Sequence, residues 1–368
     1  MSSPEKKLSE NLNGNLIEAC RKQDLHLVKK LLSDGAQADF VYDKEGTWGA
    51  REKYSPIHCA ILGLPISATI KQQEDWKELI QTLLKNGTNP NETKVDQDWR
   101  GCCSENTAIE LWFSRMPLPD VDLLSSFLES GLDPNLSQSQ TIATMRTDGF
   151  IQTCLLHNVA KLGLVDCAIA LLNAGAEVDI RGTESTHNER GHAEEKSETA
   201  LHVATVHGQL EICILLLAKG ADINAIESHL DARFLKKISK KNKTDDSRSK
   251  DYLNPWKLTP IECTAIHLAI KNKHFDLARF LLVCGADSSI PYKHGQTELK
   301  STLDYCKSEK CDSKTLLAEL DNGVDMGKSL KTLSSEVQEK ILKTFEHIQV
   351  QSWSLNNHSF PDIQRILK

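Results

Sequence analysis

The chain repeats a pattern in which two adjacent apolar residues are followed, three positions later, by a glycine. Leu216-Leu217-Ala218-Lys219-Gly220 is one example, and five other segments have the same spacing. Apolar pairs at helical spacing predict an amphipathic helix, and a glycine just beyond the last turn readily ends one. We therefore expect six similar helices, closed by Gly35, Gly87, Gly131, Gly175, Gly220 and Gly285.

A shorter apolar segment with a central histidine precedes several of these helices. His202 lies in one such segment, fourteen residues before Leu216, and His157 and His267 have the same spacing to their own apolar pairs. His58 follows the same opening, whereas the third unit has Glu110 at this position. A serine or threonine begins most of these segments, which predicts a capped helix start. Each repeat is thus predicted to be a first helix and a second helix.

These two linked motifs resemble the T-P-L-H-x-A and LL-x-x-G-A-D signatures of ankyrin repeats over residues 11–305. The resemblance implies an all-α fold, an ankyrin-repeat solenoid of stacked helix pairs with long connecting finger loops and a short C-terminal helical extension. In ankyrin repeats the histidine hydrogen-bonds between neighbouring units. The resemblance therefore assigns structural roles to the six closing glycines and to His58, His157, His202 and His267.

The repeats are longer than ordinary ankyrin units. Successive closing glycines lie 52, 44, 44, 45 and 65 residues apart, against about 33 in a standard unit. Most of the excess falls between a closing glycine and the next first helix, and we call each of these connections a finger. Insertions in solenoids collect on one face, often the binding face, so the fingers are the best indication of function.

The same patterns predict the domain organisation. We expect a flexible N-terminal tail over residues 1–10 and an ankyrin-repeat domain over 11–325. A basic finger at about 231–254 is expected to be disordered, because it is polar and rich in lysine. Residues 326–368 are predicted to form a C-terminal helical extension.

Three tryptophans occupy matching places in the fingers, seven or eight residues before a first helix. One interpretation is an aromatic row offered to a partner, since tryptophan is frequent at interface hot spots. The interpretation we favour is that each ring forms a small core within its finger, and both hold if one ring edge stays exposed. The candidate partner-binding residues are Trp48, Arg51, Tyr54, Trp99, Arg100 and Trp256.

Composition narrows the functional class. The net charge of −7 over 368 residues gives no general nucleic-acid footprint. The longest apolar run, Ile212 to Ala218, is too short to span a bilayer, and the polar N-terminus lacks the apolar core of a signal peptide. Eleven scattered cysteines are typical of reduced thiols. We expect a monomer in the cytoplasm that binds neither membrane nor nucleic acid.

One segment gives an alternative location. The run from Lys236 to Lys250 contains seven basic and two acidic residues. It is read as a solvated loop, with a nuclear-localisation signal as the alternative.

The sequence contains no pattern typical of catalysis or of a cofactor. Gly-rich phosphate loops and nucleophile elbows are absent, and Cys306 and Cys311 lack the C-x-x-C spacing of a zinc site. We therefore predict no catalytic residue, no metal and no cofactor. The predicted function is a non-catalytic adaptor that binds another protein through the fingers and the concave face.

Two alternatives remain open. The segment from Leu333 to Leu342 is similar to the opening of an F-box, although Ser334 replaces the usual proline. That resemblance implies a substrate receptor of a ubiquitin ligase, whereas the favoured interpretation is a terminal helix that covers the last repeat. The second alternative is a host-directed effector of an intracellular microbe or virus, which would act in the host cytoplasm.

Overall fold

The structure is a computed structural model. It describes residues 4–45, 51–64, 69–97, 103–115, 120–143, 147–188, 193–231, 261–294, 297–311, 313–347, 354–355 and 358–367. The chain divides into two compact units. The first comprises Met1–Ala143 with Asn173–Ala176, and the second comprises Thr144–Leu172 with Glu177–Lys368.

The first unit consists of three helix pairs and a set of finger strands. Its helices are α1 (Pro4–Arg21), α2 (Leu25–Ser33), α3 (Pro56–Gly63), α4 (Ile70–Lys85), α5 (Ala108–Arg115) and α6 (Val121–Glu129). Its strands are β1 (Tyr42–Glu45), β2 (Arg51–Tyr54), β3 (Thr93–Gln97), β4 (Cys103–Thr107) and β5 (Ser137–Ala143). The core lies between the helix layers and includes the fully buried Leu16, Ile57, Leu79, Ile80, Leu83 and Ile109.

The second unit continues the design and adds a C-terminal set of helices. Its repeat helices are α7 (Leu155–Leu162), α8 (Val165–Asn173), α9 (Ala200–Val206), α10 (Leu210–Ala218), α11 (Ala265–Lys271), α12 (Phe275–Val283) and α13 (Thr302–Ser308). The remaining helices are α14 (Lys314–Asn322), α15 (Met326–Lys331), α16 (Ser335–His347) and α17 (Phe360–Leu367). Its strands are β6 (Thr147–Cys154), β7 (Arg181–Asn188), β8 (Ala193–Thr199), β9 (Glu227–Asp231), β10 (Ile261–Cys263), β11 (Tyr292–His294), β12 (Thr297–Leu299), β13 (Ser354–Leu355) and β14 (His358–Ser359).

The fingers are antiparallel β-hairpins, so the prediction of an all-α fold is only roughly correct. Within the first unit, Lys53 on β2 pairs with Val95 on β3, and Val95 pairs with Glu105 on β4. Strands of successive fingers are therefore hydrogen-bonded to each other as well as within each hairpin. A long connection must find partners for its backbone N–H and C=O groups, and neighbouring fingers provide them.

The six closing glycines have the backbone conformation that their position requires. Their φ angles lie between +88° and +98°, the left-handed region that glycine adopts without steric cost. The chain then turns from each second helix into the next finger. The left-handed conformation of these glycines agrees with the helix ends that the glycine pattern predicts.

Two predictions about order have different outcomes. Helix α1 begins at Pro4, so the expected flexible tail over 1–10 is wrong from that residue onward. Proline suits the first position of a helix, and the glutamates and lysines that follow are good helix formers. The expected disorder of the basic finger at about 231–254 concerns residues that, apart from residue 231, lie outside the described part of the chain.

The C-terminal helices form a layer over the second helices of the second unit. Helices α14 and α15 pack on α12, and α16 packs on α10. As a result, α10 is buried on all sides, with Ile212, Ile214 and Leu216 fully inaccessible to solvent. The expectation that a terminal helix covers the last repeat is therefore corrected, because α16 lies on an earlier repeat whose second helix is apolar all round.

Among the described residues, none of the helices is both long and apolar enough to cross a bilayer.

Candidate protein-binding surface

The repeat histidines hold the first helices to the fingers. In α9, the backbone N–H of Thr199 donates to Nδ1 of His202 (3.2 Å), and the Thr199 hydroxyl oxygen lies 2.8 Å from the same atom. Since Nδ1 accepts, the ring proton lies on Nε2, which donates to the carbonyl of Ala225 (3.0 Å). Ala225 belongs to the loop that enters the next finger. His202 thus fixes both the start of its helix and the direction of the neighbouring finger.

His157 makes the equivalent connection with different partners. Cys154 stands where the other repeats have serine or threonine, and its Sγ lies 2.9 Å from Nδ1. The N–H of Gly182, on strand β7, donates to Nε2 (3.1 Å). A side chain at position 182 would stand 3.1 Å from the imidazole ring. Glycine at this position therefore lets the finger strand approach the histidine closely.

The third repeat keeps the same helix cap without a histidine. The carboxylate of the buried Glu110 accepts a hydrogen bond from the Thr107 N–H (2.7 Å). A carboxylate three residues after the cap satisfies this donor as an imidazole nitrogen does elsewhere. Glu110 is therefore a functional replacement for the histidine that the pattern leads one to expect.

Burial keeps three of these histidines neutral. It lowers the pKa of His58, His202 and His267 from the ordinary 6.5 to about 4. The unfolded chain takes up protons at these positions near pH 6.5, and the folded chain does so only near pH 4. The contribution of the histidines to stability is therefore complete above pH 6.5 and is lost as the pH falls toward 4.

We expect the free energy of unfolding to decrease between pH 7.5 and pH 5, and the decrease to be smaller in the His202→Gln variant. Glutamine does not titrate, so one of the groups that bind protons preferentially in the unfolded state is removed. Urea titrations at both pH values measure the difference. The raised pKa of Glu227 acts in the opposite direction in both proteins and cancels in the comparison. An unchanged or larger decrease in the variant would contradict the assignment.

The candidate partner-binding residues fall into two groups. Trp48, Trp99, Arg100 and Trp256 lie outside the described residues. Arg51 is exposed on β2, where its guanidinium donates to both carboxylate oxygens of Asp43 across the hairpin (2.9 and 2.6 Å). Arg51 therefore offers a partially neutralised cation on the finger surface.

Tyr54 is placed differently, because it is buried. Its ring stacks on that of Tyr42 with centroids 4.7 Å apart, and the Arg21 guanidinium lies 5.1 Å from the Tyr54 centroid. This arrangement joins the first finger to helix α1 through stacking and a cation–π contact. The position of Tyr54 favours a role in holding the finger in place.

A charged cluster on the inner face of the second unit was not found from the sequence. The Lys196 ammonium lies 2.6 Å from the Glu198 carboxylate and 3.6 Å from that of the buried Glu227. Burial raises the pKa of Glu227, although Lys196 opposes the effect. The cluster lies where finger strands meet first helices. Its members come from two strands, β8 and β9, which are far apart in the sequence, so no local spacing indicates the whole cluster.

The back of the second unit contains a buried arginine that was also missed. The side chain of Arg279, on α12, is 3% exposed and donates to both carboxylate oxygens of Glu319 on α14 (3.0 and 2.8 Å). It also donates to the backbone carbonyls of Ser329 and Thr332 (3.1 Å each). One guanidinium thus connects the last complete repeat to the C-terminal layer. The only signal in the sequence is an arginine inside the apolar segment from Phe275 to Val283.

Among the described residues, no group of three histidine, cysteine, aspartate or glutamate side chains could hold a metal ion. In the second unit, the described surface has finger strands and first helices on one side. On the other side, the C-terminal helices cover the second helices α10 and α12.

Comparisons with known proteins give consistent matches. Residues 118–227 match the family model of ankyrin repeats in three copies, and residues 262–292 match the model of a single ankyrin repeat. NF-kappa-B inhibitor alpha from Sus scrofa is 30% identical over 106 residues, which are 29% of this chain. The match covers 28% of that relative's length. The human ASB11 ankyrin repeat domain is 17% identical, with 84% of this chain and 97% of that chain covered and a TM-score of 0.43.

Proposed function

Because this chain is an ankyrin-repeat protein, we propose that it is a non-catalytic adaptor that binds another protein through its fingers and first helices. Ankyrin repeats are interaction modules, and their function depends on the surface grafted onto the fold. The extended finger hairpins enlarge that surface beyond the size of an ordinary repeat.

One observation carries the choice of face. In the second unit, the second helices α10 and α12 are covered by helices of the same chain. The outer surfaces of these two helices are then occupied, whereas in the described part of the chain the C-terminal helices do not cover the finger strands and first helices in this way. We therefore place the partner on the finger side.

The porcine relative supports a binding role. It is named as an inhibitor of NF-kappa-B and is 30% identical to this chain over 106 residues. We propose that this chain likewise acts by binding a protein rather than by transforming a small molecule. Among the described residues, nine cysteines form no disulfide and eight of these nine are buried, which supports the proposal of a reducing, cytoplasmic location.

The ubiquitin-ligase alternative receives no support from the packing of α16. A docking helix of the F-box kind needs an apolar face that is free to meet its ligase subunit. Ile341 and Phe345 on α16 are fully buried within the chain, and α16 as a whole packs on the repeat helix α10. We therefore retain the adaptor function and propose that α16 is part of the fold. The host-effector alternative stays a prediction.

The test is an affinity pull-down with matched surface variants. Glu52 and Asp96 are exposed neighbours on the finger strands β2 and β3. We expect the Glu52→Lys, Asp96→Lys double variant to lose its partner, with affinity reduced by roughly 30-fold, as for a central interface position. Mass spectrometry identifies what the parent chain retains, and calorimetry measures the affinity of each variant for it.

The control changes the charge equally on the opposite face. Glu74 on α4 and Glu129 on α6 are exposed on second helices, and the Glu74→Lys, Glu129→Lys variant is expected to bind like the parent. If the control loses the partner while the finger variant retains it, the partner lies on the second-helix face and the proposal is wrong.

A further inference from the structure

Two neighbouring clefts lie in the second unit at the edge where first helices turn into second helices. The larger has a volume of about 610 Å³, with Leu210, Phe275, Leu277 and Val337 among its walls. The smaller has a volume of about 230 Å³ and is lined by Lys271, Lys273 and Lys310, together with Glu309 and Ile270. Lys273 and Phe275 line both clefts, so a larger hollow with mixed walls, which include His274 and Asp276 as well as the apolar side chains, lies beside a basic hollow.

The three lysines of the smaller cleft have no close counterion. All three are exposed, and among the described residues none of them forms an ion pair within 4 Å. Lys271 acts at longer range on the buried Glu227. Nearby, the pKa of His207 is lowered by burial and then by Lys161 and other cations. This edge of the unit therefore carries a positive field.

The backbone at two of the lysines lies in the left-handed region, which favours glycine. Lys273 and Lys310 have φ angles of +62° and +53°, and the corresponding turns of the two preceding repeats use Gly163 and Gly208 at +73° and +67°. A lysine in the last turn of a helix complements its terminal carbonyls, which accounts for Lys271. Lys273 and Lys310 lie beyond the helix ends, so that effect does not account for them.

Strained residues that are kept where glycine would fit better point to a role of the side chain. Here two successive repeats hold a lysine in the strained position, and both side chains line the same cleft. The three ammonium groups outnumber the one carboxylate of the lining, that of Glu309, and such an excess of positive charge around a hollow is complementary to carboxylates. The adjoining larger hollow has four apolar side chains among its walls and is large enough for a leucine or phenylalanine side chain.

We propose that the paired clefts bind an acidic segment of a partner protein, with an apolar side chain in the larger cleft and carboxylates at Lys271, Lys273 and Lys310. This rests on the proposed function, because the occupant is part of a protein partner. It adds the chemistry of that partner: an apolar anchor next to two or more acidic residues. The ion pairs between lysines and carboxylates orient the partner segment, and its apolar side chain is buried in the larger cleft.

The test measures binding of a ten-residue peptide that has one leucine followed by four glutamates, using the full chain. A second peptide has glutamine at the four acidic positions. We expect the parent to bind the acidic peptide at least tenfold more tightly than the glutamine peptide, and the difference to shrink at high salt. Equal binding of the two peptides would overturn the proposal.

Matched variants locate the binding. In the triple variant Lys271→Gln, Lys273→Gln, Lys310→Gln, affinity for the acidic peptide should fall at least tenfold. The control triple variant changes three exposed lysines of the first unit, Lys22→Gln, Lys30→Gln and Lys85→Gln, and should stay within twofold of the parent. Similar losses in both variants would show a general charge effect and would refute the clefts as the site.

A single substitution separates binding from backbone strain. Lys273→Gly should raise the melting temperature, because glycine relieves the positive φ, and should also weaken peptide binding about threefold. A purely structural lysine would change the melting temperature alone, which would overturn the proposal. If the acidic peptide does not bind while the pull-down still retains a partner on the fingers, only the clefts are rejected as a binding site. Loss of any specific protein from the pull-down rejects the proposed function itself.

Discussion

The Arg279→Met variant is expected to lose about 3–5 kcal/mol of unfolding free energy, because one buried charge remains without its partner. The Glu319 side chain is only 10% exposed, and methionine cannot donate to its carboxylate. The carbonyls of Ser329 and Thr332 lose their donor as well. Urea titration followed by circular dichroism measures the change.

The accompanying double variant distinguishes a buried pair from a dispensable contact. Replacing both partners, as Arg279→Met with Glu319→Leu, removes the isolated charge, so we expect it to be more stable than Arg279→Met alone. As a surface reference, Lys343→Met breaks an exposed pair with Glu339 and should give no measurable change. The single variants Arg279→Met and Glu319→Leu are measured as well. If each loses little stability and the two losses simply add in the double variant, the ion pair does not connect the C-terminal layer to the repeats.

The second large effect is expected at Phe345, where alanine should cost about 3–5 kcal/mol. The ring is fully buried, and its loss leaves a cavity on the packed side of α16, the helix that lies on α10. Thermal and urea unfolding of the full chain measure the loss.

Lys343→Ala, two residues away on the exposed side of α16, is the matched control and should leave stability unchanged. The comparison also bears on the ligase alternative. A helix that is held free for docking would show the reverse behaviour, with Phe345→Ala harmless to folding. That result would reopen the F-box interpretation.

Much of the repeat architecture could be predicted because its signals are local. A closing glycine such as Gly220 indicates a left-handed backbone at its own position. His202 indicates a helix cap three residues upstream. Both depend on neighbours within one helical turn, so a single repeat contains the whole signal. The expected second-helix pattern held for the same reason.

The fingers were harder to predict because their structure is paired across repeats. Val95 finds its strand partners at Lys53 and Glu105, one of them in a different finger. The finger sequences are mostly polar and lack the alternation that indicates a half-buried strand. Their strand structure comes from hydrogen bonding between adjacent connections, which no single connection encodes.

The candidate site was only partly accessible to sequence reasoning. Arg51 was found on the finger surface, whereas Tyr54 belongs to a stack with Tyr42 that the sequence does not indicate. Lys273 and Lys310 were missed because only a comparison of the corresponding turns shows that they stand where other repeats have a glycine with positive φ. The C-terminal layer did leave a signal: a second helix with the apolar run from Ile212 to Ala218 has no polar face for solvent, and so requires a cover.

That cover arrives late during synthesis. Helix α10 is translated more than a hundred residues before Phe345, which corresponds to roughly 10 s of elongation at ordinary rates. During that interval the nascent chain exposes an unprotected apolar helix outside the ribosome. We expect chaperones that bind short apolar segments to associate with α10 in this period. Ribosomes that stall before α16 should release chains that aggregate.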